Sequence, residues 1–378
     1  MKKILFCLIL LLSFNIVKGS ELAKSSETAV LIEASTKKVL YEKDKDKKMY
    51  PASMTKMMTL LIAFECLDNG RINLTDEVNI SKNASGMGGT QIYIEEGTTV
   101  KVQELLKGIA IASANDAAVA IAEHISGTED EFVKLMNNKC KQLGCENTSF
   151  KNPHGLDEDG HYTTSYDMAI IASELVKYDN AIKLSSTYDE YININGEKHW
   201  LVNTNKLVRF YKGIDGLKTG YTDKAGYCLT STMKKNNMRL ISVVMNSKTK
   251  DERSSDTISM LEYGFSNYGS EVIEDKENFS GFINIKKSKE RDYKYKLSDD
   301  VKIIVDKNIK NVDYKTEIKL NEVTAPLSKN SIVGKYILRY DNKVYNYDLL
   351  LVEDAEKSNF VNVFLNNLKD IITGNIRR

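Results

Sequence analysis

Ser53 and Lys56 stand three residues apart at the head of an apolar run, with Pro51-Ala52-Ser53-Met54-Thr55-Lys56 leading into Met57 to Leu67. On a helix that spacing puts hydroxyl and amine on one face, one turn apart. A serine hydroxyl is a poor nucleophile until a base within hydrogen-bond reach takes its proton. Neutral Lys56 is such a base if its pKa falls from ~10.4 to near 7, a shift worth about 4 kcal/mol. Burial on an apolar helix plus a second cation nearby supplies shifts of that size. At a helix N-terminus, free N–H groups and the dipole also favour a developing oxyanion on the substrate. The plainer alternative is an N-cap serine followed by a surface lysine.

Two further groups complete a possible acylation site. Ser113-Ala114-Asn115 precedes a helical run and sets a hydroxyl and an amide on one turn. Ser113 can relay a proton from Lys56 to a leaving group, and Asn115 can bond a substrate carbonyl; the alternative is again a helix cap. Lys218-Thr219-Gly220 lies in a strand-like segment, Gly216 to Tyr221. Gly220 lets another backbone approach closely, so an extended peptide can add to the strand. Lys218 and Thr219 can grip a carboxylate, and the Lys218 charge would lower the pKa of Lys56. Each motif alone is weak. In this order they resemble the S-x-x-K, S-D-N, K-T-G set shared by penicillin-binding proteins and class A β-lactamases, with Ser113-Ala114-Asn115 keeping the two working side chains of the middle motif.

The elements that must hold these groups follow from periodicity. Thr28 to Glu33 and Val39 to Tyr41 read as strands about a Ser35-Thr36-Lys37 turn. Met54 to Leu67 is apolar almost all round, the mark of a helix buried in the middle of a domain. Helices are expected over Val102 to Ile111, Asp116 to Ile125, Asp130 to Leu143, Ser165 to Lys177 and Asp256 to Tyr263. Gly216 to Tyr221, Tyr227 to Met233 and Arg239 to Asn246 read as consecutive strands, the last two joined by a hairpin turn at Lys235-Asn236-Asn237. Helices grouped around an antiparallel sheet, without βαβ alternation, give an α+β catalytic domain. From about Ser270 short strands separated by polar turns predict a small all-β domain. Val361, Phe364, Leu365, Leu368, Ile371 and Ile372 then recur at helical spacing. This predicts an amphipathic helix over 354–378 that can either pack on the β domain or lie in a membrane interface, its terminal position favouring the membrane; burying its apolar face would gain on the order of 10 kcal/mol before ordering costs.

With 378 residues, 42% of them hydrophobic and only three prolines, the chain is long enough for two ordered domains. A net charge of +1 supplies no global field for nucleic acid. Lys2 and Lys3, the apolar stretch Ile4 to Val17 and small Gly19 form the pattern of a secretory leader, predicting export and cleavage after residue 19. The expected layout is a leader over 1–19, a catalytic domain over 20–269, a β-rich domain over 270–353 and the terminal helix. Cys140 and Cys145, like Cys66 and Cys228, are expected as free thiols. His154 reads as structural, and no metal or organic cofactor is implied.

In these motifs the sequence resembles the serine D-alanyl-D-alanine carboxypeptidases, the low-molecular-mass penicillin-binding proteins. Pro51 through Thr59 is similar to their first motif, Ala112 through Ala117 to their second and Asp215 through Tyr227 to their third. Asn147-Thr148-Ser149-Phe150 and His154-Gly155-Leu156-Asp157 are further points of likeness. The resemblance implies a serine β-lactamase/transpeptidase-like α/β fold and removal of D-alanine from peptidoglycan stem peptides. It makes Ser53 the acylated residue, with Lys56 its base and Ser113 the relay. Asn115, Lys218, Thr219, Gly220 and Tyr221 would line the substrate cleft. Backbone N–H groups of Ser53 and Tyr221 would form the oxyanion hole, and Arg253 would stand near the carboxylate pocket. β-Lactams would act as covalent inhibitors, and the C-terminal helix would meet the membrane. Rival readings are a transpeptidase or endopeptidase on the same site, an inactive wall-binding relic, or a β-lactamase. Glu129, Glu131, Glu146 and Glu158 all lack the Leu and Asn context of a class A deacylating glutamate.

Overall fold

The computed structural model describes residues 22–290, 292–309 and 312–359. The leader expected over 1–19 lies outside the described residues. So do residues 360–378 of the expected terminal helix.

Five antiparallel strands form the central sheet, in the spatial order Val39–Lys43, Thr28–Glu33, Met238–Ser247, Gly226–Lys235, Ile214–Thr222. Thr28–Glu33 is buried along its whole length, and the alternation of its side chains shows why. Val30 and Ile32 enter the large core that holds the Lys56–Asp68 helix, while Ala29 and Leu31 enter a second core with Met260 and Leu261 of the Lys250–Asn267 helix. The sheet is therefore covered by helices on both faces, and its strands read as nearly continuous apolar runs. Asn236 and Asn237 both adopt positive φ, 50° and 59°, and close the Gly226–Lys235/Met238–Ser247 hairpin as expected for a two-residue turn.

The apolar helix begins later than its pattern suggests. Ala52–Thr55 is a 3₁₀ turn, and the α-helix runs Lys56–Asp68 with nearly every side chain through Cys66 buried. The Val102–Ile111 segment is an α-helix over Val102–Lys107 followed by a π-helical turn over Gly108–Ala112. The Lys250–Asn267 helix starts well before the expected Asp256. Thr249 caps it by accepting from the Glu252 N–H at 3.1 Å, and its first two turns are polar, which hid them from an apolar-period reading.

The C-terminal region has its own core, including Tyr293, Leu297, Val333, Leu338 and Leu349. Its five-stranded sheet runs Ser280–Asn284, Asp292–Leu297, Lys343–Leu351, Ile332–Tyr340, Tyr314–Leu320. Beside it Tyr268–Glu274 pairs with Val301–Asp306. Lys38 ties the two regions together, donating to the Ile304 carbonyl at 3.0 Å and pairing with Asp341 at 3.1 Å. The helix expected from residue 354 is absent over 354–359: Ala355 and Lys357 form bridges to Leu327 and Ser288, so backbone pairing with the β region holds this stretch extended. Among the described residues no helix is long and apolar enough to cross a membrane.

Candidate active site

The 3₁₀ turn places Ser53, half-buried, one turn before Lys56, which is wholly buried. Ala52 enters the turn at φ 46°, a conformation that L side chains seldom adopt and that tends to be stored at functional sites. Lys56 Nζ lies 3.1 Å from Ser53 Oγ, 2.6 Å from Asn115 Oδ1 and 2.6 Å from the carbonyl oxygen of His154. A neutral amine has two N–H donors and one lone pair. With the two carbonyl oxygens taking both donors, the lone pair is left facing Ser53 Oγ, the orientation a general base needs. Burial drives the Lys56 pKa well below its ordinary value. The nearby Lys218 charge adds to that, and the Asp116 carboxylate partly opposes it.

The second motif is positioned by an irregular helix junction. The π-helical turn ends at Ser113, buried at φ 69°, and the next helix, Asn115–Ser126, begins two residues later. Single π turns are frequent at functional sites because they re-aim the residues that follow. Asn115 is used differently from the expectation that its amide is free for substrate. Its oxygen holds Lys56, and its Nδ2 donates to the Gly88 carbonyl at 2.7 Å. The adjacent Asp116 carboxylate is buried and accepts N–H bonds from Ile92 and Ile94, tying the loop around Tyr93 to the start of this helix.

Ile214–Thr222 is the outermost strand of the central sheet, so the edge bearing Lys218-Thr219-Gly220 is open to the cleft. A Cβ on Gly220 would stand 3.0 Å from the Pro51 carbonyl and 3.1 Å from Ala52 Cβ. The close approach read from this glycine is therefore to the turn that carries the nucleophile. Lys218 is buried, its ammonium donating to the Thr219 carbonyl at 3.2 Å. Burial first, and then repulsion from Arg253, bring its pKa down to about 7. Arg253 is itself buried, and its Nε finds no partner among the described residues. Two buried cations close enough to repel one another, one with an unsatisfied donor, are complementary to an anion. Thr219 Oγ1 donates to Thr204 Oγ1 at 2.7 Å. Tyr221 is 52% exposed, lies against Tyr227 with ring centroids 4.5 Å apart, and donates from its hydroxyl to Asp223.

Of the residues read from the sequence, Ser53 and Asn115 meet at the Lys56 amine, Lys218 lies close enough to add to burial in depressing the pKa of that amine, Arg253 acts on Lys218 in turn, and Gly220 packs on the turn before Ser53. Sequence reasoning marked residues 154–157 only as a point of likeness and missed that this loop holds Lys56 from behind. His154 contributes its main-chain carbonyl, which carries no residue-type signature. Its imidazole accepts from the Leu156 N–H and lies 3.6 Å from Glu129, and burial lowers its pKa. Asn152 accepts from Gly155 N–H at 2.7 Å, and Thr59 Oγ1 donates to the Pro153 carbonyl at 2.6 Å. Gly155, at φ 90°, packs so closely that a Cβ would lie 1.9 Å from the Ala52 carbonyl oxygen. The four cysteines of the described residues are free and buried.

A buried lysine oriented on a serine, at the junction of a helical region and an antiparallel sheet edge, puts the chain in the class of penicillin-binding serine hydrolases with the β-lactamase/transpeptidase fold. Residues 16–249 match the D-alanyl-D-alanine carboxypeptidase family, and residues 270–358 match the C-terminal domain of penicillin-binding protein 5. The D-alanyl-D-alanine carboxypeptidase DacF of Bacillus subtilis (strain 168) is 45% identical over 356 residues, covering 93% of this chain and 92% of that protein. The crystal structure of penicillin binding protein 5 from Haemophilus influenzae superposes with a TM-score of 0.68 at 32% identity, covering 88% of this chain and 98% of that one. Penicillin-binding protein D2 of Listeria monocytogenes, in its ampicillin-bound form, gives 0.58 at 31% identity over 64% of this chain and 98% of that one. The chain belongs to the D-alanyl-D-alanine carboxypeptidase family.

Proposed function

We propose that the chain removes the terminal D-alanine from peptidoglycan stem peptides through an acyl-enzyme on Ser53. The observation that carries this reading is the Lys56 amine, buried and held by two carbonyl oxygens with its third direction on Ser53 Oγ. Lys56 takes the Ser53 proton as Oγ attacks the carbonyl carbon of the penultimate D-alanine. The oxyanion is received by the main-chain N–H groups of Ser53 and Tyr221; one such donor is typically worth ~3–4 kcal/mol. The C–N bond breaks, and the proton passes through Ser113 to the departing nitrogen. Lys218, Thr219 and Arg253 hold the terminal carboxylate, and the open strand edge at Gly220 and Tyr221 pairs with the peptide. Asn115 acts first as a support for Lys56. Water then cleaves the ester and returns Ser53.

β-Lactams enter the same cleft and acylate Ser53, in keeping with the ampicillin-bound relative. Residues 1–19 act as an export leader, which puts the enzyme in the wall space. Residues beyond 359 associate with the membrane through the apolar face read from their spacing. Truncation after Asn359 should release the enzyme from lipid vesicles without loss of activity on small peptides; equal partitioning of both forms would refute the anchor. The catalytic reading is tested by D-alanine release from a peptide ending in D-Ala-D-Ala. Wild type should release it and Ser53→Ala should not. Release by both would place the chemistry elsewhere.

A further inference from the structure

The Glu129–Leu143 helix ends on Gly144, whose φ of 82° lies in the left-handed region. The chain reverses there through two hydrogen bonds. The Cys145 N–H donates to the Cys140 carbonyl at 2.9 Å, and the Gly144 N–H donates to the Lys141 carbonyl at 3.1 Å. On an uninterrupted helix the spacing of Cys140 and Cys145 would send them to different faces, so the sequence reads as two unrelated thiols. The glycine turn cancels that divergence. In this kind of helix ending, the two residues joined by the outer hydrogen bond are the ones whose side chains meet. A bond between their own main chains holds the Cα atoms about 5–6 Å apart, inside the range of about 4.4–6.8 Å that a disulfide spans.

Both thiols are free, and they are 1% and 7% exposed. The neighbouring Cys140 thiol first, and burial second, raise the Cys145 pKa, which keeps that thiol protonated and unreactive while the turn is closed. Among the described residues no cysteine acts in this way on Cys66 or Cys228.

The turn opens the segment that leads to the catalytic base. After Cys145, the Asn147 N–H and the Thr148 hydroxyl both donate to the Asp167 carboxylate, at 2.9 and 2.7 Å. The Asn137 side chain, on the same helix as Cys140, accepts from the Phe150 N–H and donates to the Phe150 carbonyl, each at 2.9 Å. His154 then presents its carbonyl to Lys56. We propose that Cys140 and Cys145 are a disulfide-forming pair, a covalent staple that fastens the start of this segment to the end of the Glu129–Leu143 helix when the chain meets a small-molecule disulfide. That the chain meets one rests on the export reading of residues 1–19; the alignment of the two sulfurs does not. The exchange is balanced. One cysteine thiolate attacks a sulfur of the small disulfide, forming a mixed disulfide and releasing one thiol. The second thiolate attacks the protein sulfur of that mixed disulfide, the Cys140–Cys145 bond forms, and the second thiol leaves. The two electrons and two protons lost by the cysteines end on the two released thiols. Burial makes the reaction wait for local opening of the helix end and afterwards shields the bond from reductants.

The test incubates the full-length protein with oxidised glutathione in urea well below the unfolding midpoint, which lets the helix end open while the domain stays folded. The protein is then denatured, alkylated and mapped by peptide mass. The expected result is that the Cys140 and Cys145 peptides are joined and lack two hydrogens, while Cys66 and Cys228 are alkylated. The melting temperature should stand about 5 °C above that of the same protein reduced with dithiothreitol, a shift that Cys145→Ala and Cys140→Ala each abolish. Penicillin should acylate the oxidised and reduced forms at the same rate, because the bond fits the native turn. Cys140 and Cys145 that are still alkylated, or that carry glutathione in place of one another, would overturn the pairing. A cross-link that leaves the melting temperature unchanged or lowers it would overturn the staple. Acylation by the reduced form alone would overturn the fit to the native turn.

Discussion

Replacing Gly155 by alanine would put a methyl group where the Ala52 carbonyl already lies. The added Cβ would stand 1.9 Å from that oxygen and 2.9 Å from Thr55 Oγ1, and Cβ contacts under 3.0 Å are essentially never seen. Residue 155 must therefore shift by at least about 1 Å, the gap between 1.9 and 3.0 Å. Its φ of 90° adds a strain of about 1–3 kcal/mol for any L side chain. The neighbouring His154 carbonyl accepts from Lys56 Nζ at 2.6 Å, and a shift of that size takes it past the hydrogen-bond limit of about 3.5 Å. Lys56 then loses one of the two acceptors that aim its lone pair. Misplacement of a catalytic group by 1 Å can reduce rate about 100-fold. Gly155→Ala should thus acylate with penicillin about 100-fold more slowly than wild type, and lose about 1–3 kcal/mol of stability. The assay is the second-order rate constant for adduct formation, on protein shown to be folded by circular dichroism and a cooperative melt. A folded Gly155→Ala protein that acylates within threefold of wild type would refute the idea that the 152–156 loop orients the base.

Asn115→Ala removes the other acceptor on Lys56 and leaves the Gly88 carbonyl without its donor; acylation should fall about 2- to 10-fold, the value of one neutral hydrogen bond. Lys218, with a pKa brought to about 7 by burial and then by Arg253, is charged below that pH and neutral above it. KM for a peptide with a free terminal carboxylate should therefore rise as pH climbs through about 7, while a C-terminal amide shows no such limb. Arg253→Gln relieves the repulsion and should move that limb to higher pH; an unmoved limb would take Arg253 out of the pocket.

Much of the fold was legible because its signals were local. The apolar circumference of Met57 to Cys66 marked a buried helix, and Asn236-Asn237 marked a hairpin. Chemistry that depends on side-chain type left a signal too: Ser53 and Asn115 meet at the Lys56 amine, with Lys218 near enough to add to burial in lowering its pKa. What stayed hidden was of two kinds. The His154 carbonyl acts through the main chain, so only the glycine beside it, with no Cβ to collide with Ala52, hinted at a close approach. The Asp189–Val202 hairpin did carry a signal, Asn195-Gly196 between alternating apolar residues, and both residues adopt positive φ in the structure. The 3₁₀ and π turns that aim Ser53 and Ser113 are set by tertiary packing around the cleft, which apolar periodicity does not encode.

The central claim is that Ser53 is the nucleophile and Lys56 its base, and the most direct measurement is to treat the folded protein with a penicillin and locate the adduct by peptide mass. The account predicts one adduct, on Ser53, absent from Ser53→Ala and formed far more slowly in Lys56→Ala. An adduct on another residue, or Lys56→Ala acylating at the wild-type rate, would contradict it.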